Sequence, residues 1–246
     1  MNALSARQLL NVWEQGQGQT STERALTLVA ALDPGSSPQS LAKLSIGQRD
    51  ACLLSLREDL FGPTVPCMVI CPACGERLEL TLQTKDIHVD NGHVAEKELT
   101  FERSGYKVYF RLPDSTDLQA IGGSKDKETG QKTLLSRCIL DARRNGKRAR
   151  LDRLPKKVIE ALAARMAKVD PQADVQLALT CPACEHKWLA TFDILVFLWR
   201  EIEAWARRIL MEVHILAGMY GWSEVEILNL SPGRRQIYLD MALGRQ

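Results

Sequence analysis

No run of apolar residues in this 246-residue chain is long enough to cross a bilayer. The most apolar stretch, Ile194 to Trp199, runs directly into Arg200, Glu201 and Glu203. The start of the chain, Met1-Asn2-Ala3-Leu4-Ser5-Ala6-Arg7, has no basic segment leading into an apolar one, so a secretory signal is not expected. Charge of one sign is also missing: 32 basic against 30 acidic residues leave a net charge of +2, and any electrostatic role must come from local clustering. Histidine is scarce, with four in the chain, which limits acid–base and nucleophilic chemistry. There is no His-Glu-x-x-His, no Walker-type loop, no Gly-x-Gly-x-x-Gly and no Gly-x-Ser-x-Gly. Gly122-Gly123-Ser124-Lys125 is glycine-rich without phosphate-loop spacing. His88-Val89-Asp90, with His93 beyond Asn91-Gly92, reads as a surface loop rather than a metal site, and His214 as a helix-face residue. These absences favour a protein that is not an enzyme and has no small-molecule substrate.

What is present is an ordinary globular composition, 45% hydrophobic and 25% charged, enough for a substantial core. Residues 1–64 read as a helical region. Ser5 caps a helix carrying Leu9, Leu10 and Trp13 and ending near Gly16. Thr20 to Thr22 precede Glu23 and the run Ala25–Leu32, stopped by Pro34-Gly35, and a third helix runs from Ser45 to Leu60. The pattern then becomes strand-like over residues 65–192. Val65–Ile70, Glu76–Leu82, Leu99–Arg103 and Tyr106–Leu112 are expected strands, with Ser104-Gly105 as a hairpin turn, and Asp174–Leu179 and Lys187–Phe192 follow later. Between them, Asp117 to about Val169 reads as a helical, basic insertion, spanning about 113–172 in all. Residues 193–246 are expected to be helical: one long helix from Ile194 to about Tyr220, a capping box at Ser223-Glu224-Val225-Glu226, and a last helix opened by Ser231-Pro232. The fold class is α+β, a small antiparallel β region with a long insertion, flanked by N-terminal and C-terminal helices.

The most specific feature is a repeated unit. Cys71-Pro72-Ala73-Cys74 and Cys181-Pro182-Ala183-Cys184 each follow an apolar strand and lead into an alternating one. A two-residue gap turns both thiolates toward one ion, and two such turns complete a tetrahedron, the layout of a zinc ribbon with an unusually long insertion. Redox-active dithiols are the competing reading, but those sit between a strand and a helix. Four cysteines close the shell, so Cys71, Cys74, Cys181 and Cys184 are expected to hold one structural Zn2+. His186 is a competing ligand two residues after Cys184, and Cys67 a nearby substitute; Cys52 and Cys138 read as buried small hydrophobes. Glu185 stands where the first unit has Gly75, so the second turn lacks the residue that most easily takes a positive φ. Cysteines spaced for metal rather than disulfides place the chain in the cytoplasm.

A second cluster is basic: Arg137, Arg143, Arg144, Lys147, Arg148, Arg150, Arg153, Lys156 and Lys157. It reads as a solvated helix end and loop turning at Asn145-Gly146, as a dock for an acidic protein surface, or as a nucleic-acid contact over 137–157. The last lacks interleaved aromatics for base stacking.

Three stretches together carry a family resemblance. Gln48-Arg49-Asp50 runs through Leu53-Leu54-Ser55-Leu56-Arg57-Glu58 to Phe61-Gly62-Pro63, with the first cysteine unit directly after it. The second cysteine unit precedes a long helix. His214-Ile215-Leu216-Ala217 leads through Tyr220-Gly221-Trp222-Ser223-Glu224 to Arg234-Arg235-Gln236-Ile237-Tyr238-Leu239. This pattern resembles the baseplate proteins and baseplate hub assembly chaperones of contractile-tailed phages, with relatives in extracellular contractile injection systems. The resemblance implies a non-catalytic structural or assembly role, with hub, spike or wedge proteins as partners, no membrane, and assembly in the bacterial cytoplasm. A nucleic-acid-binding zinc-ribbon protein is the alternative. The long C-terminal helix carries Trp199, Trp205, Met211, Met219 and Tyr220, which either pack on the N-terminal helices or cover a partner.

Overall fold

Helices begin where a side chain can satisfy the free backbone N–H groups of the first turn. The computed structural model describes residues 4–89, 98–124 and 126–245. In it α1 (Ala6–Gln15), α2 (Ser21–Leu32) and α4 (Ile46–Phe61) start behind Ser5, Thr20 and Ser45. Each cap accepts from the N–H three residues on and receives the side chain of Gln8, Glu23 or Gln48 in return. A short helix α3 (Pro38–Ala42), not anticipated from the sequence, lies between the last two. The loop Asp90-Asn91-Gly92 with His93, and Lys125, lie outside the described residues.

Strands β1 (Thr64–Ile70) and β2 (Arg77–Gln83) form an antiparallel hairpin, and a single turn, α5 (Thr84–Ile87), follows. The next hairpin, β3 (Leu99–Arg103) with β4 (Tyr106–Phe110), turns at Ser104 and Gly105, whose φ values of 52° and 75° suit a two-residue connection. Helices α6 (Ser115–Ile121) and α7 (Lys127–Cys138) come next.

The expectation of an all-helical middle fails here. Residues 139–148 form β5 (Ile139–Arg144) and β6 (Lys147–Arg148), which extend the β3–β4 hairpin into a four-stranded antiparallel sheet. Leu140, Ala142, Arg143 and Arg144 are acceptable helix formers, but Val108 and Phe110 on β4 need apolar neighbours, and Ala142 and Ile139 pair with them. Asn145 and Gly146, with φ of 49° and 80°, make the hairpin turn. Helix α8 (Lys156–Val169) closes the core of Tyr106, Val108, Phe110, Leu135, Cys138, Ile139, Ala142, Val158, Leu162 and Met166. The last hairpin is β7 (Val175–Thr180) with β8 (Lys187–Phe192).

The remaining helices are α9 (Ile194–Tyr220), α10 (Glu224–Leu228) and α11 (Pro232–Ala242). The chain divides into two compact units, one of residues 35–194 and one of the residues up to Pro34 with those from Leu195 onward. In the latter, Leu10 packs with Ala206, Ile209, Val213, Leu216, Ile227 and Leu239, and Trp13 and Trp205 lie half-buried against them. Trp199 is buried with the Arg24 guanidinium 4.5 Å from its ring. Trp199 therefore packs toward the N-terminal helices and Trp205 against the cluster that includes Leu10, whereas Met211 and Met219 are 59% and 60% exposed. Among the described residues no helix is long and apolar enough to cross a membrane.

Candidate metal centre

The two cysteine units occupy equivalent turns. Pairing runs up to Ile70 opposite Arg77 in one hairpin and Thr180 opposite Lys187 in the other. Inside each turn the first cysteine N–H donates to a carbonyl five residues on, Cys71 to Glu76 and Cys181 to His186, both at 2.9 Å. Its own carbonyl accepts from the residue four on, Gly75 at 3.0 Å and Glu185 at 2.9 Å. Gly75 has φ of 77° and Glu185 has φ of 58°, so the glutamate adopts the left-handed conformation that glycine takes freely.

These turns bring four sulfurs together across more than a hundred residues of sequence. Every Sγ lies within 4.8 Å of the others. Contact is crosswise: Cys71 Sγ is 3.7 Å from Cys184 Sγ, and Cys74 Sγ is 3.6 Å from Cys181 Sγ. A disulfide needs about 2.05 Å, so these are not bonded pairs. A tetrahedral ion with metal–sulfur bonds of about 2.3 Å requires sulfurs roughly 3.8 Å apart, which these closest pairs match. Cys71 and Cys181 are buried beside Leu78, with Val69 and Trp188 packed against them, while Cys74 and Cys184 face solvent.

The electrostatics fit a cation. Burial resists ionisation of Cys71, but the backbone N–H groups of Cys74 and Ala73 and the Cys74 and Cys181 thiols outweigh it and bring it down to about 7. For Cys74 the Glu76 N–H favours the thiolate, yet the Cys184 sulfur, burial and the other two cysteines push it up to about 12. Cys184 is also raised: burial and the Cys181 and Cys71 sulfurs outweigh the His186 N–H and Cys74. Four thiolates cannot share this volume unless a positive ion compensates them, so the set can hold a metal. No other cluster of three or more His, Cys, Asp or Glu among the described residues has this arrangement.

The remaining candidates are placed elsewhere. The His186 ring stacks on Trp188 with centroids 5.9 Å apart, and only its backbone serves the turn. Cys67 is half-buried on β1 with its sulfur 3.7 Å from the Val65 carbonyl oxygen. Cys138 is fully buried, as expected of a small hydrophobe, and burial pushes its thiol up to about 12; Cys52 is only half-buried. His214 is exposed on α9. The basic run is dispersed: Arg143, Arg144, Lys147 and Arg148 stand on the β5–β6 hairpin, and Lys156 and Lys157 in the first turn of α8.

Arg137 belongs to a polar cluster that the sequence reading missed. The Asp117 carboxylate, fully buried, accepts from Arg111 at 2.5 and 2.9 Å, from Arg137 Nε at 2.8 Å and from the Asp114 N–H at 3.0 Å. Asp114 in turn caps α6 and pairs with Lys43 at 3.0 Å. Burial opposes the Asp117 charge, but Arg111, the Asp114 N–H and Arg137 hold its carboxyl well below the usual carboxylate range. Its acceptor capacity is filled from within the fold, which makes it a clamp between α6 and α7. The one readable signal was the Asp114-x-x-Asp117 capping box.

A family model described as T4 bacteriophage base plate protein matches residues 7–199, a span that takes in both cysteine hairpins and the insertion between them. No curated protein and no solved structure matches the chain. With most of its length inside that match, the chain belongs to the T4 bacteriophage base plate protein family.

Proposed function

We propose that the protein is a non-enzymatic structural or assembly component of a contractile phage-tail-like baseplate, held in shape by one structural zinc ion on Cys71, Cys74, Cys181 and Cys184. The observation that carries this reading is the family match over residues 7–199. The sulfur geometry adds the second half: four thiolates complete a zinc shell and leave no position for water or substrate. The ion's role is then to tie the β1–β2 turn to the β7–β8 turn and close the intervening hundred residues into a zinc-ribbon-like base. Hub, spike or wedge proteins are the partners, and assembly takes place in the bacterial cytoplasm, either as a chaperone that leaves or as a subunit that stays.

Deletion of the gene in a contractile particle tests this directly. Complete baseplates should disappear from electron micrographs and return when the gene is supplied in trans; normal particles without it would sink the proposal. Co-purification of the protein with mature particles separates a retained subunit from a departing chaperone. Elemental analysis of the purified protein should find about one zinc per chain, and iron in its place would correct the metal.

A further inference from the structure

The turn end of the four-stranded sheet carries more positive charge than the fold can use. Pairing sets two rows across it. One row is Glu102, Lys107, Arg143 and Arg148; the other is Arg103, Tyr106, Arg144 and Lys147. Arg143 therefore stands directly opposite Arg148, and Arg144 opposite Lys147. Like charges directly opposed across a strand pair destabilise a sheet. In the first row carboxylates offset this: Glu102 lies 3.0 Å from Lys107, and Asp141 lies 2.9 Å from Arg143 and 3.6 Å from Arg148. The second row has no such relief. Among the described residues no carboxylate is within ion-pair distance of Arg103, Arg144 or Lys147, and all three are exposed. The two turns lie side by side, with the Asn145 N–H donating to the Gly105 carbonyl at 3.2 Å, and they frame a shallow cleft lined by Arg103, Lys107 and Arg143.

We propose that this end of the sheet docks an acidic segment of a partner protein, whose carboxylates supply the counter-charge missing at Arg103, Arg144 and Lys147. The partner's being a baseplate protein rests on the reading above; the charge complementarity does not. Nucleic acid fits less well for two reasons, one or both of which hold on each face of this end of the sheet. Arg144 covers the Tyr106 ring at 5.2 Å, and Arg143 and Lys107 lie 5.7 and 5.8 Å from the Tyr109 ring centroid, so neither ring is open to a base. Glu102 and Asp141 would also meet phosphates with like charge, whereas a mixed protein surface can match both signs. A guanidinium held over an aromatic ring is pre-oriented for bidentate pairing with a carboxylate.

The test uses the full-length metal-loaded protein and two fluorescein-labelled probes of matched length, a Glu-rich peptide of about 12 residues and a single-stranded DNA of about 12 nucleotides, followed by anisotropy near physiological salt. The wild type should bind the peptide more tightly than the DNA. Arg103→Glu/Arg144→Glu/Lys147→Glu should weaken peptide binding at least about tenfold, because it reverses the charge of the row while leaving residues 144 and 147 a like-charged pair. Lys157→Glu/Arg165→Glu/Lys168→Glu, an equal charge change on the exposed face of α8, should leave peptide binding within about twofold. If the first variant misfolds, Arg103→Gln/Arg144→Gln/Lys147→Gln takes its place with the same expectation. Tighter DNA binding, an unchanged affinity in the sheet variant, or equal losses in both variants would each overturn the proposal. None of these results bears on whether baseplates form without the gene, so the two readings fail separately.

Discussion

The cysteine hairpins and the four-stranded sheet belong to the same unit, yet they are stabilised by different means. The sheet and its helices bury a cluster of eleven residues, among them Phe110, Val108 and Leu162 with essentially no exposed surface. Around the sulfurs only Cys71, Leu78 and Cys181 are buried, with Val69 and Trp188 partly so, and Met68, Ile70 and Leu189 lie 60–66% exposed on the outer faces. Two-stranded hairpins with so small a core are marginal in water. One region can rely on apolar burial; the other has little of it, and among the described residues the feature able to cross-link its two turns is the set of four sulfurs that could hold a metal ion.

Removing the cross-link should therefore have the largest effect and the most local one. Structural zinc contributes on the order of 10–16 kcal/mol of apparent binding free energy in small domains. Cys71→Ser and Cys181→Ser should each drop metal content from about one per chain toward zero and either aggregate or lose hydrogen-exchange protection across β1, β2, β7 and β8. Amides of β4 and β5 should stay protected longer. A metal-free protein with both hairpins intact would break the comparison.

The converse substitution sharpens it. Phe110→Ala empties a site with no exposed surface and should cost about 3–5 kcal/mol. Its signature should be the reverse: the sheet core melts earlier in denaturant while the metal remains bound at about one per chain. Equal losses in both regions from either substitution would mean that they form one cooperative element.

A third test lies within the sheet region, where a buried charge rather than apolar area joins α6 to α7. Truncating one partner of a buried ion pair costs about 3–5 kcal/mol, and Asp117→Asn, which keeps shape and loses charge, should cost somewhat less. Because the folded carboxyl is held below its unfolded value, the stability it provides is fully present above about pH 4 and is lost as pH falls further. Asp50 runs the other way. Burial outweighs the adjacent Arg49 and raises it to about 6, so its contribution is best in acid and declines as pH rises from about 4 to 6. Asp117→Asn should remove the acid-side loss and leave that decline, measured as urea midpoints across pH 3–7. An unchanged acid limb would mean that the Arg111–Asp117–Arg137 contacts do not carry it.

How much of this was legible follows from the range of the signals. The caps at Ser5, Thr20, Ser45 and Ser223 are decided within four residues, and all four open helices. The sulfur cluster joins positions 107 and 113 residues apart, but each turn carries its own marker, so the pairing was readable despite the distance. Strands β5 and β6 were not: Asn145-Gly146 marks a turn, but nothing local in Ile139–Arg144 opposes a helix, so the turn read as a helix end, and the deciding partner is β4, about thirty residues earlier. The Asp117 clamp had the same difficulty, since Arg111 and Arg137 obey no spacing rule. The basic run was visible as composition, but its rows appeared only once Arg103 and Lys107 joined them from another hairpin.

The smallest expected effect probes the twin turns themselves. They share hydrogen bonds and backbone path, and differ in one residue that must take a positive φ: Gly75 at 77° and Glu185 at 58°. A left-handed conformation costs a residue with a Cβ about 1–2 kcal/mol. Glu185→Gly should relieve that, less roughly 0.5–1 kcal/mol of extra chain entropy in the unfolded state, for a net gain between zero and about 1.5 kcal/mol. Gly75→Ala should lose about the same amount, and purely through the backbone, because nothing lies within 4 Å of where its Cβ would stand. Competition against a chelator reads both changes as metal affinity, the first variant holding its ion equally or more tightly and the second up to about tenfold less tightly. If Glu185→Gly weakens binding instead, the glutamate side chain supports the second turn, and the two turns are equivalent in path but not in how they are held.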